Sequence, residues 1–455
     1  MRESKLISVF LLFNLILFSC KKDGLSEIRL DTNDIDEFQE YLYDDSHSSD
    51  YIYSQSELHR FDLYISDENL ALIDNNPTAE QYVVGSLVFE DKVINDVGIR
   101  YKGSIGAWVG CLSGSDWSEP SGYKTCPKLS MKIKINYQND RKFYGLKKLQ
   151  FHSQNLDPSK MRERLGYYMY RNFGIVAPRS NHAVIFINGE YSGVYANTEQ
   201  IDGPFTNKNF LNKGGNLYKE VWPVDSDGQI HSNDYFVYGL KTNEEISDIS
   251  RIRNFSEELA SKDYSDSWSV VKKYIDKDIF LKTLVVDRRI ANDDGFLHFY
   301  QLSNGNYGNH NFYWYEDPIN TNFQLIPWDL DNAFENLLED VNPVTPIKDR
   351  WYLTSNNCSG FNYGFFNMMQ KSAACDKIIG SFSQFVDSYY ELDSIFVNTI
   401  FNMSKINSLI DSWSNQIRNS VIDAHLEHQS IEPTEEEWLS SVNNLKNKIE
   451  LSINN

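Results

Sequence analysis

Two aspartates stand two positions apart in the stretch QLIPWDLDNAFE, which covers residues 324–335. Asp329 and Asp331 follow a short apolar segment that is typical of a buried strand, and one leucine separates them. Carboxylates this close repel each other unless a positive charge lies beside them. A divalent cation would supply that charge, and the ordinary alternative is a helix N-terminus capped by aspartate. The spacing therefore predicts a cation site or a helix cap at the end of this strand.

Other oxygen-bearing side chains precede this pair at the ends of neighbouring elements. Asp294 follows an apolar helical pattern within RRIANDDGFLHF, and Asn311 starts the strand pattern of HNFYWY. That strand would pair with the one that ends at Asp329, so a hairpin makes a shared site feasible. An all-oxygen set of Asn311, Asp329 and Asp331 suits Mg²⁺ or Mn²⁺ rather than zinc, and Mg²⁺ usually takes substrate phosphates as further ligands. Asp294 could then accept a hydroxyl proton, in the chain order that kinase-like phosphotransferases use.

Two weaker patterns suggest contacts to phosphate. Gly103 and Ser104 lie between predicted strands, where their backbone N–H groups could cradle a phosphate or simply form a glycine turn. Lys128, Lys132 and Lys134 alternate along one strand and therefore share one of its faces. One of these lysines could bind phosphate, and the alternative is a solvated lysine face.

Glu163 lies in a helix predicted over residues 157–174. Asp157 is a candidate N-cap, Pro158 fits the first turn, and Gly174 is a plausible stop. A glutamate on a helix that faces a lysine-bearing strand can orient the lysine, although a glutamate exposed to solvent is the commoner case. The sequence therefore offers Glu163 as a partner for one of the strand lysines.

The elements that would position these residues fall into two halves. Alternating patterns predict several strands and the Asn188-Gly189 hairpin turn in the first half. Helical patterns dominate after residue 205, interrupted by one two-stranded unit, and end in a capping-box pattern at Thr434 and Glu437. We therefore expect an α+β fold of two lobes with a ligand cleft between them. The predicted strands lie near 60–65, 82–89, 94–102 and 129–136, and the predicted lobes cover 58–204 (strand-rich) and 205–455 (helix-rich).

Composition and the N-terminus restrict the class of protein. The 455 residues are 41% hydrophobic, which is enough for a large core, and the net charge of −21 argues against binding nucleic acid. Residues 1–19 have the basic and apolar regions of a secretory signal, and LFSC at its end is similar to a bacterial lipobox. We expect lipid on Cys20, a polar tether over 20–57, and a lipid-anchored location in the bacterial cell envelope.

Four cysteines remain once Cys20 is set aside. An even number in an oxidising compartment favours disulfides. We predict the local pairs Cys111–Cys126 and Cys358–Cys375, although three connectivities are possible and the thiols could also be free. Their spacing does not indicate a zinc site.

Taken together, these segments resemble the CotH kinases, a family of secreted atypical protein kinases named after spore coat protein H. The dense run from 143 to 202 and the PWDLD element make the resemblance specific. It extends over about residues 58–340. The matching segments are IRYKGS, KLSMKIKI, FYGLKKLQFHSQNLDPSKMRERLGYYMYRNFGI, APRS, FINGEYSGVYANTEQID, GNLYKE, NDDGF, HNFYWY and PWDLDNAF.

The resemblance implies a bilobal, atypical protein-kinase-like fold that binds ATP with Mg²⁺ or Mn²⁺. It also implies transfer of phosphate to serine or threonine on exported proteins. By position, Asp294 resembles the catalytic base, and Asp329 and Asn311 resemble the metal-side residues. Lys132, or alternatively Lys128 or Lys134, resembles the phosphate-binding lysine, with Glu163 as its partner. Glu199 and Gln200 fall where the chain would cross between lobes, where backbone groups could contact adenine.

The sequence departs from the family pattern at two places that bear on function. Asp293 stands where the family usually has an aromatic residue before the base, so either of two adjacent acids could act. The glycine loop is followed by the insertion CLSGSDWSEPSGYKTC, which a disulfide could hold beside the nucleotide. An alternative function is a catalytically weak or inactive surface lipoprotein that binds a protein or glycan.

Overall fold

The computed structural model describes residues 38–41, 48–116, 118–320, 322–338, 351–353, 358–363, 368–429 and 431–454. The predicted signal segment, Cys20 and most of the predicted tether lie outside these residues. No helix in the described part of the chain is both long enough and apolar enough to cross a bilayer.

The first part of the chain forms a closed barrel of seven strands. The strands follow the ring order β4-β3-β2-β7-β8-β6-β5 and back to β4, while the short β1 adds to β4. Its strands are β1 (Gln39–Glu40), β2 (His59–Ile65), β3 (Val83–Phe89), β4 (Lys92–Tyr101), β5 (Met131–Lys134), β6 (Lys148–His152), β7 (Ser180–Ile187) and β8 (Glu190–Thr198), and its helices are α1 (Asp67–Asn75), α2 (Ile105–Trp108) and α3 (Arg162–Asn172).

Side-chain alternation explains how the barrel fills itself. Met131 and Ile133 of β5 are fully buried in the barrel core, whereas Lys132 and Lys134 lie on the outer face. The four predicted strands are confirmed by β2, β3, β4 and β5, and the Asn188-Gly189 turn joins β7 to β8 as predicted.

Helix α3 begins later than the sequence pattern predicts. Asp157 accepts hydrogen bonds from the backbone N–H groups of Ser159 and Arg162, each at 2.9 Å. Its carboxylate therefore stabilises a turn over 157–160, and the helix starts only at Arg162. The predicted stop is confirmed, since Gly174 follows the helix with φ of +83°.

The second part of the chain is mainly helical and carries two small sheets. One sheet has the order β13-β12-β9 and the other the order β11-β10-β15-β14. The strands are β9 (Asn216–Lys219), β10 (Phe299–Gln301), β11 (Tyr307–Gly308), β12 (Phe312–Glu316), β13 (Phe323–Pro327), β14 (Phe361–Tyr363) and β15 (Met368–Lys371). The helices are α4 (Gly203–Asn209), α5 (Asn233–Gly239), α6 (Ser250–Ala260), α7 (Trp268–Tyr274), α8 (Lys277–Arg289), α9 (Lys377–Ser381), α10 (Val386–Thr399), α11 (Met403–Glu427) and α12 (Glu435–Asn454).

The C-terminal helices pack back against the first part of the chain. Trp438 of α12 donates its indole N–H to the carbonyl of Ser159 at 3.0 Å. The hydroxyl of Tyr191 in β8 donates to the carbonyl of Ser420 in α11 at 2.7 Å. One apolar core accordingly joins α3 to the helices of the second part, while a separate core fills the barrel. The chain is therefore mixed α+β, with a strand-rich part and a helical part fastened together.

Both predicted disulfides are present. Cys111 pairs with Cys126 and closes the insertion that follows the glycine loop. Cys358 pairs with Cys375 and closes the segment that contains β14 and β15. The connectivity is the local one of the three possible arrangements.

Candidate active site

The β12–β13 hairpin places Asn311 and Asp329 side by side at its open end. Phe312 pairs with Pro327 in the register, and just beyond it the N–H of Trp328 donates to the carbonyl of Asn311 at 3.0 Å. Asn311 and Asp329 both adopt left-handed backbone conformations, with φ of +61° and +56°. Such conformations cost non-glycine residues about 1–3 kcal/mol, and they are enriched at functional sites.

Asp294 is held against this hairpin by three neighbours. The Asn311 amide donates to the Asp294 carbonyl at 2.8 Å and to its carboxylate at 3.1 Å. His310 Nε2 lies 2.7 Å from the other carboxylate oxygen, and the Asn332 amide donates from 3.4 Å. The structure therefore brings Asp294 and Asn311 together, as the sequence predicted.

Asp293, the adjacent acid, faces a different environment. Its carboxylate lies 3.2 Å from Arg288 and 3.6 Å from His298, and it is buried. Burial would raise the pKa of Asp293, but His298 and Arg288 hold it below the usual value. The negative charge of Asp293 is thus balanced by Arg288 and His298 within the helical part. Asp294 is therefore the acid directed towards the hairpin.

Four carboxyl groups converge at this end of the hairpin. Burial raises the pKa of Asp329. The positive charges of Lys102 and His152 oppose this rise in pKa, whereas the negative charges of Glu163 and Asp294 add to it. Burial also raises the pKa of Asp331 well above its usual value, and the other three carboxylates add to that shift. Mutual repulsion of this kind is what a bound cation would relieve.

The residues present fit a hard divalent cation. One oxygen of the Glu163 carboxylate is buried and has no hydrogen-bond partner in the described structure. Asn311 adds an amide oxygen, so every available ligand atom is oxygen, as Mg²⁺ and Mn²⁺ require. Across the described residues, no three His, Cys, Asp or Glu side chains form a ready-made metal cluster. Mg²⁺ usually binds one or two protein carboxylates and takes water and phosphate as its other ligands.

The lysine that faces these carboxylates is Lys102, which the sequence analysis did not select. Its ammonium group lies 2.6 Å from His152 Nε2 and 5.4 Å from the centre of the Trp328 ring. Burial lowers the pKa of Lys102, while the charges of Asp329 and Glu163 oppose that shift. The signal was available in the sequence, because Lys102 stands directly before Gly103 in RYKGS, two positions after Arg100 on the same strand face.

Glu163 reaches Lys102 through a histidine rather than directly. One Glu163 oxygen lies 2.7 Å from His152 Nδ1 and accepts a hydrogen bond from the Thr198 hydroxyl at 2.8 Å. The Lys102–His152–Glu163 chain therefore links the residue after β4 to β6 and α3. Glu163 lies in α3, as predicted. Its partner is His152, however, and not Lys128, Lys132 or Lys134.

The three predicted lysines occupy different environments. Lys128 is fully buried, forms an ion pair with Glu432 and donates to the carbonyl of Val194 at 3.1 Å. Because these buried contacts occupy its ammonium group, the structure does not support Lys128 as the phosphate-binding lysine. Lys134 lies over Tyr137 at 5.8 Å, away from the carboxylates. Lys132 pairs across the sheet with Arg100, and burial and the charge of Lys102 lower its pKa far below the usual value.

The glycine loop lies beside Lys102, but its first amide is already used. The N–H of Gly103 donates to the Glu80 carboxylate at 3.0 Å. A Cβ on Gly103 would stand 2.7 Å from the Cβ of Ala107, so the loop has no room for a side chain there. Ser104 is exposed and precedes α2. Of the predicted phosphate cradle, the Gly103 amide is therefore unavailable.

Glu199 is buried and held by Arg179. Its carboxylate accepts hydrogen bonds from Arg179, including one at 2.9 Å, and its N–H donates to the carbonyl of Arg179 at 2.9 Å. Of the backbone groups of Glu199 and Gln200 that were predicted to contact adenine, the N–H of Glu199 is thus engaged within the barrel. Gln200 follows at the end of β8 and donates its amide to the carbonyl of Ile201 at 3.0 Å.

Comparison with known proteins supports the family assignment. A family model described as "CotH kinase protein" matches residues 99–451. The inner spore coat protein H of Bacillus subtilis (strain 168) is 25% identical over 206 residues, which is 43% of this chain. The matched region covers 52% of that protein, so it spans about half the length of this curated relative.

A solved structure is similar at a lower level. It is the complex of HipA and HipB from the toxin–antitoxin system of Shewanella oneidensis MR-1 with its operator DNA. The match covers 86% of this chain and 79% of that chain, at 11% identity and a TM-score of 0.29. With a TM-score this low, the comparison supports no statement about the fold of this chain, which rests on the strands and helices described above.

Proposed function

The chain belongs to the CotH kinase family, and on that premise we propose that it is an ATP-dependent phosphotransferase with a bilobal, atypical protein-kinase-like fold. Its acceptor would be the hydroxyl group of a serine, a threonine or another residue of an exported substrate. The observation that carries the proposal is the convergence of Asp294, Asn311 and Asp329 opposite the ammonium group of Lys102.

The residues divide the reaction between metal binding and proton transfer. Asp329 and Asn311, with Asp331 beside them, would hold Mg²⁺ or Mn²⁺, and the bound ion offsets charge on the donor phosphates. Lys102 positions those phosphates from the barrel side. Asp294 orients the acceptor hydroxyl and takes its proton. Positioning and charge stabilisation account for nearly all catalysis in enzymes of this kind.

His310 and Asn332 support Asp294 in this role. His310 contacts one oxygen of the carboxylate at 2.7 Å, and the Asn332 amide donates to the other at 3.4 Å. With both oxygens fixed, the carboxylate needs little rearrangement to meet a hydroxyl group. Such pre-organisation is what general-base catalysis requires.

The place of action follows from the N-terminal pattern and from the relative. The relative is named as a coat protein, which suits a chain that acts outside the cytoplasm. We propose export and attachment to the cell envelope through lipid on Cys20. Radiolabelled palmitate should enter the wild-type chain and not a Cys20→Ala variant expressed in a bacterial host.

The phosphotransferase proposal is tested with Asp329→Ala and a matched control. Asp140 is suitable as the control, because its side chain is 90% exposed and lies far along the chain from the hairpin. Transfer of labelled phosphate from ATP should be abolished in Asp329→Ala and unchanged in Asp140→Ala, while both variants keep the wild-type circular dichroism. Transfer that survives Asp329→Ala would rule out the metal assignment. ATP with Mg²⁺ should also raise the melting temperature of the wild-type protein.

A further inference from the structure

One face of helix α3 contacts the candidate site at several successive levels. Glu163, Gly166, Tyr167 and Tyr170 recur at helical spacing, so they share that face. All four residues are buried. Glu163 serves the lysine side of the site through His152. The other three residues contact the segments that carry the metal-side aspartates and the candidate base.

Tyr167 holds the turn of residues 329–331, which we call the metal turn. The backbone N–H of Asp329 donates to the Tyr167 hydroxyl at 3.1 Å. Burial raises the pKa of Tyr167 well above its usual value, and the charges of Glu163 and Asp329 add to that rise. The hydroxyl therefore stays neutral, and it accepts this hydrogen bond without bringing a further negative charge to the carboxylates. A fixed N–H also restricts the direction of the Asp329 side chain on its left-handed backbone.

Gly166 allows α3 to approach the same turn closely. A Cβ at this position would stand 3.0 Å from Leu330 Cδ1 and 3.3 Å from Leu330 Cβ. The second distance matters more, because a Cβ atom moves only with its backbone. Leu330 separates Asp329 and Asp331, so a shift of its backbone moves both aspartates. The metal turn therefore rests directly on the helix at this residue.

Tyr170, one turn further along α3, reaches the segment that carries the candidate base. Its hydroxyl donates to the Asp287 carboxylate at 3.3 Å, and the Asn292 amide donates to the same oxygen at 2.9 Å. Asn292 begins the segment of residues 292–295, which we call the base loop and which contains Asp294. Tyr170 is therefore linked to the base loop through one shared oxygen atom.

We propose that Tyr167 and Tyr170 are positioning residues, Tyr167 for the metal turn and Tyr170 for the base loop, so that α3 sets the distance between metal and base. This inference rests on the proposed phosphotransferase function. Both hydroxyl groups act through other residues, as partners that orient metal ligands do. Loss of such a partner typically lowers metal affinity or activity about 10- to 100-fold.

The test compares Tyr167→Phe and Tyr170→Phe with Tyr168→Phe as the matched control, all in the full-length protein. Tyr168 lies on the same helix, but its ring packs against Trp413 of α11 at 5.9 Å, away from the face described above. Phenylalanine keeps each ring and removes only the hydroxyl. The affinity for Mn²⁺ alone is measured from the electron paramagnetic resonance signal of the free ion. ADP release from ATP with saturating Mn²⁺ gives kcat, and the melting temperature without ligand shows that the variants fold.

Tyr167→Phe should weaken Mn²⁺ binding at least about tenfold. Tyr170→Phe should leave Mn²⁺ binding unchanged and lower kcat about tenfold. Tyr168→Phe should match wild type in both quantities. A folded variant of Tyr167 or Tyr170 that lacks its expected effect would overturn the inference alone. A wild type that lacks either Mn²⁺ binding or ADP release would instead overturn the proposed function.

Gly166→Ala reaches the metal turn by a second route if Tyr167→Phe does not fold. Alanine favours a helix more than glycine does, so α3 itself should form as before. The added Cβ should nevertheless displace Leu330 and weaken Mn²⁺ binding. Unchanged Mn²⁺ affinity in this variant would overturn the inference that α3 positions the metal turn.

Discussion

At the scale of single residues, the principal feature is a histidine between the candidate lysine and glutamate. Lys102 and Glu163 both contact His152, at 2.6 and 2.7 Å. Glu163 and the hairpin acids, which the sequence patterns proposed, lie near one another in the structure, because strand and helix periodicity fixes which side chains share a face. The position of Lys102 before Gly103 was a weak signal in the sequence, and ranking it above Lys132 depends on how the barrel closes between β4 and β5.

Lys102→Met and Lys132→Met separate the two lysines. The charges of Lys102 and Asp329 interact, so loss of Lys102 should lower kcat/KM for ATP about 100-fold, the usual effect of losing one charge-stabilising donor. Lys132→Met should lower kcat/KM for ATP less than about tenfold, because Lys102 still places its charge beside the carboxylates. Steady-state kinetics with an acceptor protein measures both values. A larger loss for Lys132→Met would return the phosphate role to the lysine of β5.

His310→Phe tests the support of Asp294. The ring of His310 stacks on Tyr300 at 5.4 Å with an interplanar angle of 20°, and phenylalanine can keep that stacking. The contact to Asp294 is lost, so kcat should fall about 10- to 100-fold while KM for ATP stays unchanged. His310→Gln should recover part of the rate because an amide can still donate to the carboxylate. A change confined to KM, or no recovery with glutamine, would contradict this positioning role.

At the scale of elements, the β12–β13 hairpin is what the sequence predicted best. Strand alternation and the polar residues at its open end were sufficient to bring Asn311 and Asp329 together. The start of α3 was predicted less well, because Asp157 satisfies a turn instead of the helix N-terminus. Local polar contacts of this kind compete with capping and cannot be read from residue type alone.

The two disulfides should affect different kinetic constants. The Cys358–Cys375 loop contains β15, which pairs with β10, and Gln370 in β15 lies 3.2 Å from His298 behind Asp293. Replacing both cysteines by serine should cost about 3 kcal/mol of unfolding free energy, as expected for a loop of this length, and should lower kcat. The matched Cys111→Ser/Cys126→Ser variant loosens the loop next to Gly103 and should mainly raise KM for ATP. The opposite assignment of kcat and KM effects would contradict this division.

At the scale of the whole molecule, the C-terminal segment completes the first part of the chain. Glu432, between α11 and α12, forms buried ion pairs with Lys128 and with Lys160, the latter at 2.9 Å. These partners are hundreds of positions apart in sequence, which is why no local pattern predicted them. The sequence suggested one boundary near residue 205. The last helices nevertheless pack against the first part of the chain, across that boundary.

Glu432→Gln tests how much this contact stabilises the fold. Breaking a buried pair leaves uncompensated charges, so the unfolding free energy at neutral pH should fall by about 3–5 kcal/mol. The exposed Glu436→Gln provides a matched control and should change little. Urea denaturation followed by tryptophan fluorescence measures both variants. Equal stability of the two variants would contradict the role assigned to Glu432.

The same residue predicts a dependence of stability on pH. Burial alone would raise the pKa of Glu432, but Lys128 and Lys160 lower it to about 2 in the folded protein, from 4.5. A carboxyl group with a lowered pKa contributes stability above its unfolded value, and that contribution is lost as the pH falls from 4.5 towards 2. Wild type should therefore lose stability over this range more steeply than Glu432→Gln.

The central claim is most directly tested by a crystal structure of the full-length protein with ATP and Mn²⁺, in which anomalous scattering locates the metal. We expect one Mn²⁺ bound by Asp329 and Asn311, in contact with the donor phosphates, and the Lys102 ammonium group within hydrogen-bond distance of a phosphate oxygen. Manganese bound away from these side chains, or a triphosphate outside the space between the barrel and the β12–β13 hairpin, would contradict the account.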